Sequence, residues 1–169
     1  MERSRAMLTW SKVGTAPLLL ILAVLSSGPA SAGVCTPEVS GGAGNDEVIG
    51  TSGQDFMCGY EGNDHLLGYG GPDVMYGWGG DDVLSGGASG DYLSGLADDD
   101  RLFGGSGPDE LVDTEGRDVL VGDDGNDCLD AKDDDRDELR GRQDRDRGVW
   151  DEHDIVRGVE RRVASCGPA

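Results

Sequence analysis

Between Gly41 and Asp130 an apolar residue returns every nine positions: Val48, Met57, Leu66, Met75, Leu84, Leu93, Leu102, Leu111, Leu120 and Leu129. Two positions before each stands an aspartate: Asp46, Asp55, Asp64, Asp73, Asp82, Asp91, Asp100, Asp109, Asp118 and Asp127. Ten nonapeptides fit this frame without insertion, from GGAGNDEVI to GDDGNDCLD. The first position is glycine in nine of them, Asp113 being the exception. The fourth is glycine in eight, with Ser89 and Asp98 the exceptions. The last three positions predict a very short strand whose central side chain points one way and whose neighbours point the other. The first six predict a loop, in which glycines at positions one and four permit backbone conformations closed to other residues and turn carbonyls toward one point. A helix is excluded, because glycine recurs too often and a period of nine keeps no helical face. The pattern predicts an all-β chain of short repeated strand-and-loop units.

Charge sharpens this picture. The chain of 169 residues carries 34 acidic against 14 basic side chains, a net charge of −20. The ten units hold 21 acids and only Arg101 and Arg117 as bases. Such a surface repels a phosphate backbone, which excludes nucleic-acid partners. Glycine does not fall at every third position, which excludes collagen. What remains is a disordered acidic linker or a chain neutralised by cations. A linker needs no aspartate column and no apolar column two places after it, so the column order selects the second.

The motif GGxGxDxUx resembles the nonapeptide of the RTX, or haemolysin-type, calcium-binding repeat. The resemblance spans the ten units, residues 41–130, and implies a parallel β-roll with two units per turn, hence about five turns. It also implies calcium between neighbouring loops on each side, with four gaps per side and up to about eight ions. Each ion would take the sixth-place carboxylates of two loops, such as Asp46 with Asp64 or Asp55 with Asp73. Backbone carbonyls of the glycine columns would complete the oxygen shell, among them Gly41, Gly42, Gly44, Gly59, Gly62, Gly68, Gly71, Gly77 and Gly80. Gaps that use the loops with Ser89, Asp98 or Asp113 depart from the motif and are expected to be weak or empty. Ten inward apolar side chains bury little surface for ninety ordered residues, and stacked acidic loops repel. The metal-free chain is therefore expected to be largely unfolded, with calcium driving folding by linkage.

The flanks carry separate signals. Arg3, Arg5 and Lys12 precede an apolar run from Pro17 to Leu25 and a small-residue stretch ending at Ala32. This predicts a secretory signal peptide over residues 1–32, cleaved after Ala32, and an extracellular protein. The run is too short to span a membrane, and Val34 before Cys35 argues against a lipid anchor. Residues 33–40 form a short N-terminal flank. In the oxidising compartment four cysteines allow three pairings, of which Cys35–Cys58 and Cys128–Cys166 staple each flank to the nearer end of the roll. Residues 131–169 are expected to be degenerate repeats followed by a cap. Asp137 with Leu139, and Asp146, preserve parts of the motif, while Val149, Trp150, Ile155, Val156, Val159 and Val163 are available to cover the last turn.

No H-E-x-x-H, G-x-S-x-G or phosphate-loop motif is present, and no catalytic role is expected. The expectation is a non-catalytic calcium-binding structural module. The alternative is a calcium-dependent extracellular module that binds a protein or glycan through exposed aromatics such as Tyr60 and Trp78 on the outer faces.

Overall fold

The apolar eighth-place residue of each unit lands beside that of the unit eighteen positions on, and this spacing builds the fold. In the register of the parallel strands Val48 opposes Leu66, Leu66 opposes Leu84, and Met57 opposes Met75. Two units thus make one turn. The computed structural model describes residues 39–166. Among them fourteen strands, β1 to β14 in chain order, alternate between two seven-stranded parallel sheets. The odd strands are Glu47–Ile49, His65–Leu67, Val83–Ala88, Arg101–Ser106, Val119–Asp124, Glu138–Gln143 and Ile155–Arg157. The even strands are Phe56–Glu61, Val74–Gly79, Tyr92–Ala97, Glu110–Asp113, Cys128–Ala131, Arg147–Val149 and Arg161–Arg162. Between the sheets runs one file of apolar side chains, fully buried from Met57 to Leu129 and extended by Leu139. Each β-roll turn is held to the next by main-chain ladders and by this file.

Two expectations need correction. Many strands have six residues rather than three, because pairing continues into the first three positions of the following unit, as where Tyr60 opposes Trp78 and Trp78 opposes Leu96. The roll also does not stop at about five turns; it runs to about six. Strand β11 pairs with β9, placing Leu139 beside Leu120, and β12 pairs with β10, placing Gly148 beside Leu129. The one-residue slip at Ala131 is absorbed within β10, whose last residue is buried and pairs with Asp113. Loss of the glycines does not break the stack, since a rung needs only its ladder and a filled centre. At Gly148 the missing centre is supplied by Trp150, whose ring would lie 3.3 Å from a methyl group placed on that glycine.

Trp150, Val156 and Val159 pack against the end of the apolar file, while Val149 and Val163 join Cys128 and Cys166 in a second cluster. The Cys128–Cys166 disulfide is formed, with Cα atoms 5.5 Å apart. Cys58 is also disulfide-bonded. Cys35, its expected partner, and the expected signal segment lie outside the described residues. Among the described residues no helix is long and apolar enough to cross a membrane.

Candidate metal centre

The aspartates of the repeat fall into two rows along the two edges of the roll. One row runs Asp46, Asp64, Asp82, Asp100, Asp118, and the other Asp55, Asp73, Asp91, Asp109, Asp127. Within each row, Oδ1 of every aspartate after the first accepts the backbone N–H of the aspartate one turn earlier. The distances are 2.8 Å for Asp46 to Asp64, 2.6 Å for Asp64 to Asp82, 2.7 Å for Asp82 to Asp100 and 2.9 Å for Asp100 to Asp118. The second row repeats this at 2.8 to 3.0 Å. One oxygen of each carboxylate is thereby pinned. The other, Oδ2, is buried and has no hydrogen-bond partner in Asp64, Asp73, Asp82, Asp91, Asp100, Asp109, Asp118 and Asp127. Buried polar atoms are almost always paired, and an unpaired charged one is costly. Eight such atoms in two regular rows mark a place for something positive.

The glycine columns show what surrounds these oxygens. A methyl group on Gly77 would overlap Asp82 Oδ2 and lie 2.9 Å from the carbonyl oxygen of Gly95. On Gly59 it would overlap Asp64 Oδ2 and lie 2.8 Å from the Gly77 carbonyl, and Gly68, Gly86 and Gly104 repeat the arrangement. First-place glycine is therefore required for room, not for a left-handed backbone. It brings a carboxylate oxygen of one turn beside a carbonyl oxygen of the next. The fourth position does take positive φ, at Gly44, Gly62, Gly71 and Gly80, and so do its substitutes Ser89 (φ 92) and Asp98 (φ 75). The second position was not expected to do so, yet Tyr60, Tyr69, Trp78 and Leu96 all have φ between 69 and 89. Ladder pairing on both sides of Trp78 holds that otherwise disfavoured geometry.

Electrostatics points the same way. Burial pushes the carboxyl of Asp82 from 3.8 up to about 7, against the opposing effect of the Asp64 N–H, with neighbouring carboxylates adding to the rise. Asp73 and Asp109 also rise to about 7, and Asp64 and Asp127 to about 6, again chiefly through burial. Asp100 is pushed furthest in its row, to about 9, first by burial and then by the charge of Asp113. Without a counter-charge these groups hold their protons more tightly than an exposed carboxyl does.

The first-turn aspartates differ from the rest. Asp46 Oδ2 accepts the N–H of Gly42 at 2.7 Å, and Asp55 Oδ2 accepts the Thr51 N–H at 2.6 Å and hydroxyl at 3.0 Å. Both rows also run past the tenth unit. Asp118 N–H donates to Asp137 and Asp127 N–H to Asp146, whose Oδ2 atoms are likewise buried and unpartnered. Asp137 N–H then donates to Asp154, and Asp146 N–H to Glu160. Asp137 and Asp146 were legible once the slip at Ala131 was allowed; Asp154 and Glu160, 17 and 14 residues on, follow no fixed period. Two compact carboxylate groups also arise, Asp100 with Asp113 and Asp118, and Asp118 with Asp133 and Asp137. His65 and His153 stand exposed.

The donor set is thus carboxylate and carbonyl oxygen alone, the hard-ligand chemistry that suits calcium. The family model of the RTX calcium-binding nonapeptide repeat matches four times, at residues 38–57, 58–93, 79–111 and 103–135. The chain belongs to the RTX calcium-binding repeat family. A comparison with curated proteins returns no match. For this RTX roll, calcium binding is the property that the repeat carries, and the orphaned Oδ2 rows offer oxygen donors of the kind that calcium takes.

Proposed function

We propose that this RTX roll is a secreted, non-catalytic module that folds when calcium enters the gaps between stacked loops. The observation that carries the reading is the double row of buried, unpartnered Oδ2 atoms beside first-place carbonyls. Each gap takes the aspartates of two successive turns, Asp64 with Asp82 or Asp73 with Asp91, and carbonyls from the glycine columns. Asp46 and Asp55 close the rows at one end, and Asp137 and Asp146 extend them at the other. The N-terminal basic and apolar segment supports export, to a compartment where calcium is plentiful and disulfides persist. Inside the cell, where calcium is scarce, the acidic chain stays open. A calcium titration followed by far-UV circular dichroism tests this. Strand signal should develop cooperatively at roughly 0.1–1 mM calcium, the range of extracellular modules. A β signal unchanged by chelator refutes the folding mechanism.

A second reading adds partner binding. The rings of Tyr60 and Trp78 stack with centroids 6.3 Å apart and remain exposed, and Tyr69 is exposed on the other edge. Such a platform suits a sugar ring. The row Phe56, Tyr76, Tyr92, with centroids 5.7 and 5.8 Å apart, instead behaves as a cross-strand ladder. Glycan binding that requires calcium and is lost on Trp78→Ala would establish the second reading.

A further inference from the structure

Asp113 is the one residue that replaces a first-place glycine among the ten units. Its side chain does not turn to solvent. It is 2% exposed, and its Oδ1 accepts the N–H groups of Leu96 at 3.0 Å and Thr114 at 2.9 Å. Its Oδ2 is left buried and without a partner. At Gly59, Gly77 and Gly104, the point beside the glycine is shared by one aspartate Oδ2 and the carbonyl of the next turn's glycine. At Gly95 the same point is shared by Asp100 Oδ2 and Asp113 Oδ2. A carboxylate has taken the place of a carbonyl, and Asp118 lies within reach of both.

We propose that Asp100, Asp113 and Asp118 form a three-carboxylate cation site, distinct from the two-carboxylate gaps around it, that fills first and seeds the ordering of the roll. This rests on the calcium reading above and reverses the expectation that the Asp113 loop is weak or empty. A third charged oxygen raises cation affinity and favours higher ion charge, because ligand charge is a main determinant of affinity in oxygen sites. Oδ1 is held by two backbone donors, so Oδ2 needs no reorganisation to meet the ion.

The test uses the full secreted chain and two variants. Asp113→Gly restores the residue found in the other nine units, and Asp113→Asn keeps the side-chain shape while removing the charge. Calcium calorimetry should show a tightest step that either variant weakens about tenfold or more, and the calcium midpoint for strand formation should rise in both, as loss of the seeding site requires. Europium(III) excitation luminescence, whose band position follows the charge of the coordinating ligands, should show a separate, most highly charged site that fills first and disappears in both variants. An identical first step and band in wild type and Asp113→Gly overturns the proposal while leaving calcium-driven folding intact. Absence of any metal-dependent strand signal in the wild type would instead overturn the reading on which it rests. Asp113→Asn that folds with calcium yet keeps the tight step also overturns it.

Discussion

Replacing Asp82 by asparagine separates a metal ligand from a brace. Asparagine keeps an oxygen for the Asp64 N–H, a bond of 2.6 Å, so the contact between turns survives. Its amide nitrogen takes the place of the unpartnered Oδ2, on the side where the Gly95 carbonyl can accept from it. In the metal-free roll the change removes a buried charge. A carboxyl moved from 3.8 to about 7 costs the folded chain at most about 4 kcal/mol to carry at neutral pH, and about half that once solvent at the loop edge screens it. The variant should therefore gain about 2 kcal/mol without calcium. With calcium the sign reverses. Asp82 stands between the loops of Asp64 and Asp100 and so belongs to two gaps. At about 10 mM calcium, a site of roughly 0.1–1 mM affinity contributes about 1.4–2.7 kcal/mol, so loss of two costs about 3–5 kcal/mol. Urea unfolding followed by circular dichroism measures the holo effect. The same experiment in chelator, with sucrose added to bring the metal-free roll into range, measures the apo effect. A change of the same sign in both conditions would refute the reasoning and leave Asp82 a structural acceptor only.

Two more results are expected. Because burial raises the carboxyls of Asp64, Asp73, Asp82, Asp109 and Asp127 from 3.8 to about 6 or 7 in the metal-free roll, the folded form binds more protons than the unfolded chain between about pH 4 and 7. The metal-free chain should thus gain strand signal on acidification through that window, while the calcium midpoint rises as pH falls and calcium uptake releases protons; no gain in strand signal on acidification in chelator would contradict this. Gly77→Ala forces a methyl group onto Asp82 Oδ2 and toward the Gly95 carbonyl at 2.9 Å. It should cost about 1–3 kcal/mol in urea melts and raise the calcium midpoint. Gly70→Ala, with open space around its added methyl group, should be near neutral.

The aspartate and apolar columns specified repeating short strands and loops with one central file from Val48 to Leu129; the resemblance they carry implied the parallel roll and its two carboxylate rows, and the placement of the cysteines favoured the Cys128–Cys166 staple. The columns are legible because their contacts repeat with the chain's own period. Four features required the tertiary structure. First-place glycine looked like a need for unusual backbone, whereas the constraint is a carboxylate and a carbonyl from a neighbouring turn. The left-handed geometry of Tyr60 and Trp78 is imposed by ladder partners eighteen residues away. The roll continues past Asp130 because pairing and a filled centre outlast the motif that announces them. Asp113, which sequence reading took for a defect, becomes a buried carboxylate because the backbone N–H groups of Leu96 and Thr114 hold it inward. A periodic sequence states what each rung contains; only stacking one rung on the next decides which atoms meet.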